Sequence, residues 1–156
     1  DLQRASQPCG LSFSVAGSAE GSADGLLRAV GISRLSGLES LLCLRRLDLS
    51  GNRLSSLIGG GGDFSRLPFL VELLLERNEL RTLHGMCWPA GLLRFSAAHN
   101  HIAQIGRIRG GGTATLKSID LSSNPVCGGG AGEAAVRTAF GAAGLLLPAL
   151  EELLVK

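Results

Sequence analysis

Large aromatic side chains are scarce in this 156-residue chain, which has no tyrosine and only 4% aromatic residues. Because a folded core must be filled to high density, leucine has to supply most of the packing volume here. Leucines recur along the whole chain, which predicts an array of similar layers rather than one irregular core. Ten of the 23 glycines fall in three runs, at 59–62, 110–112 and 128–130, which indicates insertions between structured pieces.

A strong charge of one sign is also lacking, since 15 basic residues face 13 acidic ones and the net charge is +2. Direct nucleic-acid binding usually requires clustered Lys and Arg that neutralise several phosphates. Apolar runs such as residues 73–75 and 145–147 are far shorter than a membrane-spanning helix. We therefore expect neither nucleic acid nor a membrane as a direct partner.

Clustered cysteines are missing too. The four cysteines stand 34, 44 and 40 residues apart, at Cys9, Cys43, Cys87 and Cys127. Isolated thiols are typical of a reducing compartment, whereas small extracellular domains often depend on disulfides. The cysteine pattern therefore predicts an intracellular protein.

What the chain does contain is a repeat. The pattern L-x-x-L-x-L-x-x-N-x-L, with other apolar residues at some Leu positions, occurs four times in succession. The copies begin at Leu44, Leu70, Leu92 and Leu116, and their asparagines are Asn52, Asn78, Asn100 and Asn124. Four consecutive copies are far beyond chance, even in a leucine-rich chain.

These motifs resemble the leucine-rich-repeat family. The repeat starts are 26, 22 and 24 residues apart, and removing four glycines at 59–62 and two within 110–112 restores a spacing of 22. The unit is therefore similar to the 22-residue class of the family. That class includes the phosphatase-1 nuclear regulatory subunit, axonemal dynein light chain one and the spliceosomal A-prime protein.

The resemblance implies an α/β fold, a leucine-rich-repeat solenoid with a curved parallel sheet on its concave face and a helical C-terminal cap. Residues 22–126 would form the repeats, residues 1–21 an N-terminal flank or capping strand, and residues 127–156 the cap. A cap is expected because an open end of a repeat stack exposes its hydrophobic layer.

Local patterns add detail to these three parts. A degenerate first repeat aligns Leu27 with Leu49, one 22-residue unit later. Alternating apolar residues at 11–15 suggest the flanking strand. The cap is predicted to hold a helix over 131–147, from its helical apolar spacing, and a final strand at 150–155.

Each asparagine of the repeat is expected to turn inward at the end of its strand. Its amide would then bond backbone groups of neighbouring turns that the curved chain leaves unpaired. We refer to these four asparagines as the Asn ladder. Trp88, the only tryptophan, is predicted to fill the core on the convex side.

Signatures of catalysis are absent. The glycines at 59–62 are not followed by the Lys-Ser or Lys-Thr of a phosphate loop. No serine lies in a G-x-S-x-G motif, and no cysteine lies in a nucleophile signature. His84, Cys87, His99 and His101 suggest a metal quartet, but the repeat places the first two across the layer from His99. We expect no enzyme activity, cofactor, metal or small-molecule substrate.

The candidate partner-binding site is the concave face, where the non-Leu strand positions point outward. Its candidate residues are Arg46, Asp48, Glu72, Leu74, Glu76, Arg94, Ser96 and Asp120. Alternating signs predict a cross-strand charge ladder that runs from Asp24 to Arg94. These charges either satisfy one another and keep the surface soluble, or form a patch around Leu74 that complements another protein.

The sequence thus predicts a non-catalytic protein–protein interaction module. From the resemblance we expect a scaffolding or structural subunit of a larger intracellular assembly, cytoplasmic or cytoskeletal, with an axonemal role among the favoured ones. Two alternatives remain open: the recognition domain of a larger enzyme or a phosphatase regulator, and an RNA-associated subunit that acts through a protein partner.

Overall fold

The computed structural model describes residues 18–21, 26–30, 38, 41–57, 63–106, 109, 112–128, 132–142 and 147–156. Its strands form one seven-stranded sheet whose spatial order follows the chain. They are β1 (Ser18–Gly21), β2 (Leu26–Val30), β3 (Arg46–Asp48), β4 (Glu72–Leu74), β5 (Arg94–Ser96), β6 (Ser118–Asp120) and β7 (Glu152–Leu154). Among the described residues, the one α-helix is α1 (Gly132–Ala142), between β6 and β7 in sequence.

Strands β2 to β7 pair in parallel, each with the next along the chain. A parallel pair requires the chain to cross back to its starting edge between strands. Each of the four copies of the repeat therefore contributes one strand, β3 to β6, and its remaining residues make the return. The predicted parallel sheet of an α/β fold is confirmed.

The strand register follows the apolar pattern. Leu47 lies opposite Leu73, which in turn lies opposite Phe95, and Phe95 lies opposite Ile119. All four side chains are fully buried. Because side chains alternate along a strand, the residues on either side of each must face away from this core. The sheet thus has one buried face and one open face.

The alignment of the first repeat is wrong by two residues. Leu27 lies opposite Leu47, not opposite Leu49 as a strict 22-residue step predicts. The side-chain period of a strand is two, so a shift of two residues leaves the alternation of faces unchanged. The apolar pattern alone therefore cannot distinguish the two registers, and only the backbone pairing does.

A flanking strand, β1, lies within the N-terminal flank that the sequence suggested at residues 1–21. β1 pairs antiparallel with β2, from Ser18 opposite Val30 to Gly21 opposite Leu27. Its small and polar sequence has little intrinsic strand preference, so pairing with the edge of β2 decides its conformation. The predicted strand at 11–15 and the glycine run at 59–62 lie outside the described residues.

The core is mostly leucine, as the composition predicts, but its largest members are aromatic. Trp88 is buried, and its ring lies 4.7 Å from that of Phe95 at an angle of 70°. The ring centre of Phe140 from α1 lies 5.8 Å from that of Trp88. Trp88 therefore fills the core, as expected, and joins the helix to the sheet.

Within the predicted helix at 131–147, the structure describes α1 over Gly132–Ala142. Leu147 is not helical, and residues 131 and 143–146 lie outside the described part of the chain. The predicted apolar face is present in Val136 and Phe140, which are both buried in the core.

Asn78 shows how the Asn ladder ties the layers together. Its Nδ2 donates to the carbonyl oxygens of Leu75 (3.0 Å) and Glu76 (3.2 Å) in its own repeat, and of Leu49 (2.9 Å) in the preceding one. Its Oδ1 accepts a hydrogen bond from the backbone N–H of Leu54, at 3.0 Å. One buried amide thus satisfies four backbone groups in two repeats.

The same geometry recurs in the next two repeats. Asn100 donates to the oxygen of Leu75 at 2.9 Å, and Asn124 donates to the oxygen of Ala97 at 2.9 Å. Asn52 donates to Leu49 within its own repeat, at 2.7 Å. The ladder therefore lines the edge where the strands end, which we call the strand-end edge.

The residue before each ladder asparagine has a left-handed backbone. The φ angles are 71° at Gly51, 53° at Arg77, 54° at His99 and 56° at Ser123. Only glycine adopts this region without steric cost. Three of the four repeats therefore tolerate backbone strain at this position. The left-handed backbone turns the chain so that the asparagine can point inward.

Candidate functional site

The open face of the sheet, opposite the leucine core, is where the sequence placed the site. It carries the predicted residues Arg46, Asp48, Glu72, Leu74, Glu76, Arg94, Ser96 and Asp120. The parallel register brings Arg46, Glu72 and Arg94 into one row across β3, β4 and β5. The predicted row also included Asp24, which lies outside the described residues, and Leu26 is the residue opposite Arg46.

Arg46, Glu72 and Arg94 form an ion triad across three strands. Glu72 accepts a short hydrogen bond from Nε of Arg46, and its other oxygen lies 3.5 Å from a terminal nitrogen of Arg94. The Glu72 side chain is only 12% exposed, whereas those of Arg46 and Arg94 are 56% and 65% exposed. The two guanidinium groups shield the carboxylate, so the outer surface of this triad is cationic.

The exposure expected of Glu72 and Ser96 is therefore corrected, since both residues are buried. Ser96 donates its hydroxyl to a carboxylate oxygen of Glu76 at 2.8 Å. Leu74 is half-buried rather than fully exposed. Side chains from neighbouring strands cover Glu72 and Ser96 on this face. The sequence pattern did not predict this burial. The role of these residues in binding a partner stays a prediction.

Asp48 and Asp120 have a local role that the sequence did not reveal. Each accepts a hydrogen bond from the backbone N–H two residues later, from Ser50 at 2.9 Å and from Ser122 at 2.8 Å. Such short side-chain bonds stabilise the turn that follows a strand. The signal for it is the D-x-S spacing that both repeats share.

The thiols and imidazoles do not gather into a reactive centre among the residues described. No group of three or more His, Cys, Asp or Glu within that part of the chain could hold a metal. Burial raises the pKa of the Cys127 thiol, and the Asp120 carboxylate acts in the same direction against a backbone hydrogen bond from Asn124. The raised pKa keeps this thiol protonated and a poor nucleophile at neutral pH.

An exposed apolar surface lies at the other edge of the sheet, where the strands begin. Leu42 is 54% exposed and Phe69 is 59% exposed, and Leu93 is also exposed. We call these three residues the apolar edge strip and this side of the sheet the strand-start edge. The sequence reasoning missed them because it searched only strand positions. The available signal was a large apolar residue within two positions of the leucine that begins a repeat, as at Leu42, Phe69 and Leu93.

Comparison with known proteins bears on the class of the chain. Residues 43–63 match the family model described as Leucine Rich Repeat. No curated protein matches the chain. The matched segment contains β3 and Asn52, so it coincides with the first full copy of the repeat.

The match and the parallel sheet together support a leucine-rich-repeat protein of the α/β class. Leucine-rich repeats generally mediate protein–protein interaction, and domains built from them typically bind protein partners. Within the described part of the chain, no helix is both long and apolar enough to cross a bilayer.

Proposed function

We propose that this chain is a non-catalytic protein–protein interaction module and a scaffolding subunit of a larger intracellular assembly, cytoskeletal or axonemal. In this proposal the chain is a solenoid of the 22-residue repeat class. Helix α1 and strand β7 form its C-terminal cap. The burial of Val136 and Phe140 against the repeats supports such a cap.

The observation that carries the proposal is the charge and shape of the open face. Two guanidinium groups project from Arg46 and Arg94, and half-buried Leu74 lies two residues beyond Glu72 in β4. An apolar side chain surrounded by oriented charges is typical of the centre and rim of a protein interface.

The proposal is tested by capturing partners from the native source with the wild-type chain and with Leu74→Arg, followed by quantitative mass spectrometry. Because Leu74 is half-buried, this change is expected to lower the free energy of unfolding by less than about 1 kcal/mol. We expect one defined set of proteins on the wild type and at least about tenfold less of it on Leu74→Arg.

The matched control is Leu154→Arg, in the same strand position of β7. Equal capture by the wild type and by Leu74→Arg would contradict the open face as the binding surface. Retention of RNA after the captured proteins are removed would contradict a purely protein partner. Turnover of a substrate by the purified chain would contradict the non-catalytic assignment.

A further inference from the structure

The apolar edge strip stands on a series of equivalent turns. Before β3, the backbone N–H of Leu44 donates to the oxygen of Leu41 at 3.0 Å. Before β4, Leu70 donates in the same way to Leu67 at 3.2 Å. Each turn has two residues at its tip, which are the residues most removed from the core. Leu42 is therefore one of the tip residues of the first turn.

Phe69 occupies the tip of the second turn, directly after Pro68. Proline favours this place because its fixed φ suits the first central position of a turn. No such requirement applies to Phe69, and burial does not explain it either, since 59% of its surface is exposed. A large exposed aromatic side chain without a folding role marks a contact site for another molecule.

Leu93 belongs to the same surface because the backbone joins these rungs. The N–H of Val71 donates to the oxygen of Arg45 at 2.8 Å, and the N–H of Leu93 donates to the oxygen of Val71 at 2.9 Å. Neighbouring strands lie about 4.8 Å apart, so the strip crosses three adjacent repeats. It is long enough for an extended segment of another chain.

The charges around the strip determine which kind of partner can bind there. Among the described residues near these turns, Arg45, Arg46, Arg66 and Arg94 are all exposed. They face two carboxylates, Glu72 and Asp63, of which Glu72 is shielded. The rim is therefore cationic, and a partner that fits it must be acidic.

We propose that the apolar edge strip binds an acidic segment of a partner protein that carries aromatic or aliphatic anchor side chains. The proposal rests on the proposed function, and it names a second contact surface and the chemistry of the partner. A second copy of this chain is a poor occupant, because a symmetric contact would place the two cationic rims against each other. An exposed phenylalanine at the centre also does not suit a phosphate backbone.

The test uses an arrayed library of short random peptides probed with the full chain. We expect the captured peptides to be enriched in Asp or Glu together with Phe, Leu, Ile or Trp. Their binding should fall at least about tenfold in the double variant Leu42→Ser, Phe69→Ser. It should also weaken when the salt rises from about 0.05 M to about 0.5 M, because exposed charges are screened.

A matched pair of charge variants distinguishes an effect of the cationic rim on peptide binding from an effect of the chain's total charge. Arg45→Glu should weaken binding of the captured peptides, whereas Arg81→Glu should not. Arg81 is also exposed but follows Asn78 at the strand-end edge. If the double variant does not fold, this pair carries the test by itself. Equal losses in both charge variants would overturn the proposal.

Three other results would also overturn it. The first is capture of no acidic, apolar peptides by the wild type. The second is loss of peptide binding in Leu74→Arg but not in the double variant, which would leave the proposed function standing. The third is binding that depends on Phe69 but is directed to phosphatidylserine vesicles or to a second copy, measured by co-sedimentation and light scattering.

Discussion

The two edges of the sheet are built from the same repeats but differ in what their side chains do. At the strand-end edge, Asn78, Asn100 and Asn124 are buried, and their amides satisfy backbone groups of two repeats each. At the strand-start edge, Leu42 and Phe69 are exposed on the tips of turns. The asparagines of the first edge are required for folding, since buried backbone groups need hydrogen-bond partners. The second edge has no such requirement, and its turn-tip side chains stay exposed.

Two aromatic residues at the strand-start edge differ most in burial. Trp88 is buried just before one turn, whereas Phe69 is exposed at the tip of another. Trp88 packs against Phe95 and Phe140, whereas Phe69 projects from the surface. Trp88→Ala should therefore lower the free energy of unfolding by about 3–5 kcal/mol, through lost burial and the cavity left behind.

Chemical denaturation of Trp88→Ala beside Phe69→Ala measures this contrast. The second change should cost less than about 0.5 kcal/mol, as expected of an exposed site. Similar losses in the two variants would mean that Phe69 is part of the core, and the distinction between the two aromatic residues would be lost.

The second prediction concerns the strand-end edge. Asn78→Ala leaves the carbonyl of Leu49 and the N–H of Leu54 without this partner, so it should cost about 1–3 kcal/mol. Asn52→Ala, nearer the irregular first repeat, should cost less. Equilibrium unfolding in urea checks both values. No measurable loss for Asn78→Ala would contradict its role as a tie between repeats.

The repeats themselves could be predicted from the sequence, because their signal combines spacing with chemistry. The period-two apolar pattern around Leu73 and the inward asparagine at 78 both follow from burial and backbone pairing. The register of Leu27 could not be predicted, since a shift of two residues leaves the apolar pattern intact. The apolar pattern determines which face of the sheet a residue occupies. The register between two strands also depends on the length of the loop that connects them.

The site was less predictable than the fold. Its candidate residues lie on the open face, as the strand pattern predicts, but the burial of Glu72 depends on two arginines from other strands that close over it. Phe69 was missed because a search confined to strand positions ignores turn tips. Both failures have one physical origin, since exposure depends on neighbours in adjacent repeats and not on position within one repeat.

The third prediction has a smaller expected effect and concerns the strained turn before each asparagine. Gly51 has a φ of 71°, and no heavy atom lies within 4 Å of the position that a Cβ would occupy there. Gly51→Ala should therefore cost about 1 kcal/mol from backbone strain alone. Arg77→Gly at the equivalent position should be nearly neutral, because relief of strain offsets the added freedom of the unfolded chain.

Thermal unfolding of Gly51→Ala and Arg77→Gly, each against the wild type, distinguishes strain from side-chain contact. A clear loss in Arg77→Gly would show that the arginine side chain stabilises the fold. The strand-end edge would then depend on more than its asparagines and its backbone.

The central claim is that the strand-end edge is required for folding and the apolar edge strip is not. The most direct test is the melting temperature of the double variant Leu42→Ser, Phe69→Ser, measured beside Asn78→Ala and the wild type. We expect the double variant to melt within about 2 °C of the wild type and Asn78→Ala to melt clearly lower. A double variant that melts as low as Asn78→Ala would contradict the account, because the strip would then be part of the fold.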